Sequence, residues 1–199
     1  EQNAKIYASL RDRYVPNGQM WVTESGDAGA GGDTWASTYL DVLRTLNELG
    51  SFTDVSDGVI FHNTLASSDY GFLKHGTFEP RPNYFAVLLW NTLMGTDVYA
   101  CEHSDIESLH IYCHSRKDGK NGYVYLIINN SNSDSLTVEL PKATECYMLT
   151  APTLRSSVME LNGTPLIADE AGNITEIFPK VHHAGKVTLT PCSVMFAVL

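Results

Sequence analysis

Glu24 is the acid that the local sequence singles out for chemistry. It ends a short apolar run in "QMWVTESGDAGAGGDTW", residues 19–35, and four glycines follow within residues 26–32. A carboxylate at such a place can act as a nucleophile, and glycine-rich backbone before a helix offers N–H groups to an anionic ligand. The alternative is a solvated acid beside a surface turn. The local sequence leaves both interpretations open.

A second group of polar residues follows the next apolar run, "GVIFHNTL", residues 58–65, and extends from His62 to Tyr70. In a parallel α/β barrel, reactive groups lie on the loops that follow the carboxyl ends of the strands. This group and Glu24 are therefore expected at the same end of the sheet. His62 either faces a ligand there or is a hydrogen-bonded structural residue, and the structural role is the one we favour.

Helix and strand signals alternate in the first half of the chain. Apolar residues at helical spacing predict three helices, which end before Pro16, at Gly50 and at Gly95. Asp33 or Thr34 is the expected N-cap of the second helix. With the two short strands between them, the helices have the order of a parallel α/β sheet or barrel.

The sequence of the second half of the chain predicts an all-β structure. Its short runs are rich in β-branched and aromatic residues and are separated by turn sequences such as "KDGKNG". Seven such runs in about a hundred residues predict an antiparallel sandwich. The runs are "DVYACE", "LHIYCHS", "GYVYLIIN", "SLTVEL", "ECYMLT", "KVTLT" and "SVMFAVL".

The first half is expected to be an incomplete barrel. Two βα units do not close an eight-stranded barrel, and an open remnant would expose the edge of a parallel strand. Either the chain is a piece of a larger enzyme, or a partner or a second copy completes the sheet.

Composition excludes several classes of function. The chain has 199 residues and a formal net charge of −10, which argues against nucleic acid as a main partner. No apolar run approaches the ~20 residues that a membrane span requires. Nothing at the N-terminus resembles a signal peptide, and both secretion and a cytoplasmic location stay open.

The cysteines and sequons add little to the functional prediction. Four cysteines without a CxxC pair make a metal site unexpected, and no cofactor is predicted. Buried thiols are the favoured interpretation, and disulfides remain an alternative if the protein is exported. The sequons at Asn129, Asn162 and Asn173 matter only where the source glycosylates.

Three separated motifs resemble one known family. "WVTESGDAGAGG", "SDYGFL" and "FEPRPNYFAVLLWNTLMGTDV" are similar in order and spacing to the C-terminal part of glycoside hydrolase family 79, the heparanase and β-glucuronidase group. The resemblance covers residues 19 to about 98. It implies a fold class of α/β plus all-β, in which residues 1–97 form the last βα units of a (β/α)8 TIM barrel. Residues 98–199 would then form an antiparallel β-sandwich domain.

The resemblance also implies roles for individual residues. Glu24 takes the place of the nucleophile of a retaining hydrolase, which forms a covalent glycosyl-enzyme. Ala30 and Gly31, through backbone amides, and Tyr70, through its hydroxyl, take the places that bind the carboxylate of a uronic acid, with Gly71 beside the tyrosine. The implied partner is a β-glucuronide or a glycan that contains glucuronic acid.

Three positions bear on how far the resemblance extends. His62 stands where human-type members carry glutamine, and it is included among the candidate substrate-binding residues. Gly29 stands where the family often has a tyrosine. The family's acid/base lies in an Asn-Glu pair upstream of the matching region, and Asn47-Glu48 falls within a predicted helix.

The sequence therefore predicts half of an active site. The acid/base glutamate is expected from an N-terminal portion, either a separate chain or a missing segment of the same one. The alternatives are a non-catalytic uronate-binding or interaction module, and a role for the sandwich as a structural brace of the barrel.

Overall fold

The structure is a computed structural model that describes residues 2–53, 55–56, 58–101 and 105–199, without the side chains of residues 2 and 3. In this part of the chain there are three helices, α1 (Gln2–Tyr14), α2 (Tyr39–Thr53) and α3 (Pro82–Leu93). Two short strands alternate with them, β1 (Val22–Ser25) and β2 (Ile60–His62). The predicted alternation of helix and strand is therefore present.

The remaining strands of the described residues follow α3. Each of the seven predicted runs contains a strand, although the last residue of "DVYACE" lies outside the described residues. Strands β8 to β10 were not predicted. The bounds are β3 (Met94–Tyr99), β4 (Leu109–Arg116), β5 (Tyr123–Asn129), β6 (Leu136–Leu140), β7 (Thr144–Thr150), β8 (Glu160–Leu161), β9 (Thr164–Pro165), β10 (Lys180–His182), β11 (Gly185–Leu189) and β12 (Ser193–Val198).

Strands β1 and β2 form a parallel pair, as expected for consecutive βα units. Val22 lies opposite Ile60, and Ser25 lies opposite His62. The carboxyl ends of both strands are therefore adjacent, and the loops that follow them start from the same edge.

The helix α2 differs from its prediction at both ends. It begins at Tyr39, so Asp33 and Thr34 are not its N-caps. It also continues past Gly50 to Thr53, because Gly50 is a packing position and does not end the helix. A Cβ atom on Gly50 would collide with the ring of Tyr112 in β4, so the missing side chain lets the helix lie close to the sheet.

Strands β3, β4, β5, β12, β7, β8 and β9 form one large sheet in that order, and β10 pairs with β7. The neighbouring pairs are antiparallel. One face of the sheet packs against α2 and α3 in a common apolar core. Fully buried members of this core include Leu46 of α2, Leu89 of α3, Leu126 of β5 and Phe196 of β12.

A second, two-stranded antiparallel sheet of β6 and β11 lies on the opposite side of these strands. Its side chains Leu140, Val187 and Leu189 form a smaller apolar cluster with Ile127 and Met195 of the large sheet. The second half was predicted to be an antiparallel sandwich: the large antiparallel sheet is present, and the sandwich domain stays a prediction. The predicted boundary between residues 97 and 98 falls inside β3, and the division into two domains stays a prediction.

Candidate active site

Glu24 lies in β1, one residue before its carboxyl end, and its side chain is exposed. The next residue, Ser25, is buried and points toward α2, where its Oγ lies 2.5 Å from Oε2 of Glu48. The strand pairing is irregular between Val22 and Ser25, and the contacts show that Ser25 faces α2 while Glu24 faces the second loop through Asn63. The strand thus presents one carboxylate to the open side of β1 and β2.

Asn63 connects Glu24 to the second loop. Its Nδ2 donates to Oε1 of Glu24 at 2.8 Å and to the hydroxyl oxygen of Tyr70 at 3.2 Å. Its backbone N–H donates to the carbonyl of Ser25 at 2.7 Å, which continues the pairing of β1 and β2 beyond the last strand residue. The structure therefore brings Glu24 and Tyr70 into one hydrogen-bonded cluster.

The glycine loop after β1 has a left-handed backbone at Ala30, Gly31 and Gly32, with φ values of 61°, 103° and 103°. A carboxylate oxygen of Asp27 accepts from the N–H of Asp33 at 2.8 Å and closes the loop. In the described part of the chain, no acceptor takes the N–H of Ala30 or Gly31. These two amides are free to donate to a ligand.

The loops after β1 and β2 pack against each other. The N–H of Asp69 donates to the carbonyl of Gly31 at 3.1 Å. The ring of Tyr70 is buried against the backbone of Gly32, where a Cβ would lie only 3.0 Å from the ring carbon Cδ1. The glycine at this position therefore makes room for the tyrosine. The two predicted carboxylate-binding groups, the glycine loop and Tyr70, lie side by side.

Gly71 is buried beneath this loop. Its carbonyl accepts from Oγ of Ser37 at 3.0 Å, and an added Cβ would lie 3.0 Å from the carbonyl oxygen of Ser67. These contacts place Gly71 in the packing that fixes the backbone next to Tyr70.

His62 lies at the end of β2 in a mostly buried environment. Its ring stacks on Phe72, with centroids 4.2 Å apart and an interplanar angle of 13°, and its Nε2 lies 3.2 Å from the carbonyl oxygen of Tyr70. Burial lowers its pKa below the ordinary value, and its Nδ1 is buried without a hydrogen-bond partner among the described residues. These contacts favour the structural role over the substrate-binding one.

A buried ion network lies behind the site. Asp41 of α2 is completely buried and accepts from Nε of Arg44 at 2.7 Å, from Nδ2 of Asn83 at 2.7 Å and from the backbone N–H of Ser37 at 3.0 Å. Arg44 also donates to Glu48 at 2.7 Å. Because each charge is paired and hydrogen-bonded, the network can hold α2, α3 and the loop next to the site in a fixed arrangement.

The Asn47-Glu48 pair lies in α2, as predicted. The carboxylate of Glu48 accepts hydrogen bonds from Arg44 and Ser25 on the side of β1 that faces the helix. Its position therefore supports the exclusion of this pair as the acid/base. The described residues contain no cluster of three or more potential metal ligands. No helix among them is long and apolar enough to cross a membrane.

Sequence reasoning did not assign a role to Asn63. A single asparagine after a strand carries no distinctive signal, because its two acceptors come from positions 39 residues before it and 7 residues after it. The parallel pairing of β1 and β2 gives the only hint, since it places the residue after β2 beside the end of β1.

Comparisons with known proteins agree with the motifs. No family model matches the chain. The chain is 31% identical to baicalin-β-D-glucuronidase from Scutellaria baicalensis and 30% identical to heparanase-like protein 1 from Arabidopsis thaliana, over 90% and 92% of its length. It is 25% identical to inactive heparanase-2 from Homo sapiens over 89% of its length. It spans only 36%, 41% and 34% of these three proteins.

Solved structures show the same type of fold at low sequence identity. A GH51 α-L-arabinofuranosidase from Thermotoga petrophila superposes with a TM-score of 0.68 over the whole chain and 47% of its own length, at 13% identity. CelM2, a bifunctional glucanase-xylanase, superposes with a TM-score of 0.63 over 99% of this chain and 34% of its own, at 13% identity. These neighbours are glycoside hydrolases of the TIM-barrel type.

The sequence similarities and the three motifs lead to one assignment. The chain is homologous to the heparanase and β-glucuronidase group, glycoside hydrolase family 79.

Proposed function

We propose that this chain supplies the nucleophile and the carboxylate-binding pocket of a retaining β-glucuronidase-like glycoside hydrolase. Residues 1–97 are the last βα units of its catalytic barrel, and residues 98–199 are its β-sandwich domain. The acid/base glutamate belongs to an N-terminal portion, in a preceding segment or in a separate chain. The substrate is a β-glucuronide or a glycan that contains glucuronic acid.

The observation that carries the proposal is the cluster of Glu24, Asn63 and Tyr70 beside the glycine loop. An exposed carboxylate lies near the end of a parallel strand, and a hydroxyl and two free backbone amides lie on the two loops that leave the same edge. Neutral donors of this kind bind a carboxylate without a cation. This explains how a chain with a net charge of −10 could hold an acidic sugar.

The chemistry follows from the position of each group. Asn63 holds Oε1 of Glu24, and Oε2 is left to attack the anomeric carbon of the sugar. Tyr70 and the amides of Ala30 and Gly31 fix the sugar through its carboxylate, which orients the anomeric carbon for this attack. The attack breaks the glycosidic bond, and the acid/base, about 5–5.5 Å from the nucleophile in a retaining enzyme, protonates the departing oxygen. Water, deprotonated by the same acid/base, then hydrolyses the glycosyl ester and releases the sugar and free Glu24.

The substitution Glu24→Gln tests the proposal. In the protein joined to its N-terminal portion, we expect wild type to cleave an aryl β-glucuronide. Because the amide cannot form the glycosyl ester, kcat should fall by about four orders of magnitude or more, as for loss of other catalytic nucleophiles. Initial rates with a chromogenic glucuronide measure the effect.

Glu176→Gln is the matched control. Glu176 is an exposed glutamate of the β-rich half, and the same loss of charge there should leave kcat unchanged. Retention of full activity in the Glu24→Gln protein would contradict the assignment of the nucleophile.

A second candidate function is a uronate-binding module without catalysis. One of the homologous proteins is named inactive heparanase-2, which shows that the group contains members described as inactive. If glucuronic acid raises the Tm of the protein while no N-terminal portion gives turnover, the binding module is the correct function. The two candidates therefore differ in turnover and agree in uronate binding.

A further inference from the structure

Asn63 is the side chain that donates hydrogen bonds to both Glu24 and Tyr70 in the described residues. Its backbone is fixed by the 2.7 Å hydrogen bond to Ser25, the residue that follows Glu24. Its side chain is only partly exposed, with Nδ2 directed at the carboxylate and the phenol. Asn63 is therefore held in place independently of any ligand.

The amide group of Asn63 is chemically suited to this double contact. A side-chain NH2 has two hydrogens, and here one acceptor takes each of them. Since the Tyr70 oxygen accepts from Asn63, its own O–H hydrogen must point elsewhere and can donate to a substrate carboxylate. An amide also adds no positive charge, so it orients Glu24 without forming an ion pair with it.

We propose that Asn63 is a positioning residue that couples recognition of the sugar carboxylate to the nucleophile. When the sugar carboxylate binds Tyr70, the phenol is held in the orientation in which its oxygen accepts from Asn63. The side-chain amide of Asn63 at the same time holds Glu24 in position for attack. Selectivity for a uronic acid over a neutral sugar is then expressed in kcat as well as in KM. This inference rests on the proposed function, but its first test does not require turnover.

The first test is NMR spectroscopy of the 199-residue chain with 15N-labelled asparagine. The Asn63 side-chain amide signals are assigned by their loss in Asn63→Asp. Replacing the acceptor carboxylate in Glu24→Gln should move these signals from their wild-type positions at pH 7, because Nδ2 donates to that carboxylate. Glu176→Gln, the same change at an exposed glutamate of the β-rich half, should leave them in place. Identical Asn63 side-chain signals in wild type and Glu24→Gln would overturn the inference.

The second test uses the active protein joined to its N-terminal portion. Asn63→Ala should lower kcat for an aryl β-glucuronide by about 10- to 100-fold, near the lower range for loss of one preorganised donor. It should also reduce the preference for the glucuronide over the matching β-glucoside by about tenfold, since Tyr70 loses its fixed orientation. An unchanged preference would contradict the coupling.

Asn63→Asp gives a signature that a purely structural role would not produce. The new carboxylate has the shape of the amide but lies next to Glu24, and two adjoining carboxylates do not both ionise easily. The acid limb of the kcat/KM profile should therefore move to higher pH. Asn91→Asp, on the exposed side of α3, makes the same chemical change away from the site and should leave the profile unchanged.

The results distinguish a failure of the proposed hydrolase function from a failure of the proposed role of Asn63. Absence of turnover in wild type counts against the proposed hydrolase, while the NMR comparison of wild type with Glu24→Gln still tests Asn63. Normal wild-type turnover with an unmoved acid limb in Asn63→Asp overturns the role of Asn63 and leaves the hydrolase intact.

Discussion

At the scale of single residues, the candidate site combines one exposed acid with neutral donors. Glu24 is distant in the sequence from Asn63 and Tyr70, and two hydrogen bonds of Asn63 join the three residues. The family resemblance identified Glu24 and Tyr70 as candidate site residues. It did not identify Asn63, because the hydrogen bonds of Asn63 depend on how the two loops meet. The glycine-rich composition suggested backbone N–H groups for an anion, and the resemblance supplied Ala30 and Gly31; the loop is left-handed at Ala30, Gly31 and Gly32.

The environment of His62 leads to a prediction of pH-dependent stability. Burial lowers its pKa below the ordinary 6.5. As pH falls, the unfolded chain therefore binds a proton at His62 at a higher pH than the folded protein does. Stability from this residue is therefore present above pH 6.5 and declines as pH falls through 6.5 toward the lower folded pKa. Urea unfolding at pH 7.5, 6.5 and 5.5 should show a smaller decline for His62→Gln than for wild type.

The exposed His183 provides a matched control for this measurement. His183→Gln should keep the wild-type decline. Equal pH dependence in wild type and His62→Gln would show that the buried ring does not resist protonation.

At the scale of elements, strands were predicted better than the ends of helices. The strand runs are recognisable because apolar and β-branched residues cluster between turn sequences, and all seven contain a strand. Strands β8 and β9 have only two residues each, too few to form a periodic pattern. Such short strands form because β8 pairs with the edge of β7 and β9 pairs with β8, and local sequence does not reveal these pairings.

The ends of α2 show why local signals were insufficient there. Residues 34–37 form turns, and the first two N–H groups of the helix make long-range contacts: Tyr39 donates to the carbonyl of Ser156 at 3.0 Å and Leu40 to that of Leu154 at 2.7 Å. At the other end, Gly50 looks like a stop signal but is required for close contact with Tyr112. Both errors arise because a long-range contact replaces the usual local cap.

At the scale of the whole molecule, the helices of the first half depend on the sheet of the second. The hydroxyl oxygen of Tyr39 in α2 lies 2.8 Å from the carbonyl oxygen of Leu149 and 2.9 Å from that of Cys192. Burial raises the pKa of this hydroxyl, which keeps it protonated as a donor. The apolar core is continuous across the predicted domain boundary, in agreement with a bracing role for the β-rich half.

The shared core predicts cooperative unfolding. Leu126 is fully buried in β5, within the core that includes α2 and α3. Leu126→Ala should lower the free energy of unfolding by about 2–5 kcal/mol, through lost burial and an internal cavity. Circular dichroism should show the helical and β signals melting together at a lower temperature than in wild type.

Val158→Ala is a control that also truncates an aliphatic side chain, but at an exposed position, and it should shift the Tm little. Separate melting of helical and β signals in the Leu126→Ala protein would contradict a common core.

The measurement that tests the central claim most directly is covalent trapping of the nucleophile. A 2-deoxy-2-fluoro-β-glucuronyl fluoride has a leaving group that departs without an acid, and its fluorine slows hydrolysis of the ester. Incubation with the protein joined to its N-terminal portion, followed by peptide mass spectrometry, should place one sugar on the peptide that contains Glu24. The label should be absent in Glu24→Gln. A label on another carboxylate, or turnover of the reagent without any glycosyl-enzyme at Glu24, would contradict this account of the site.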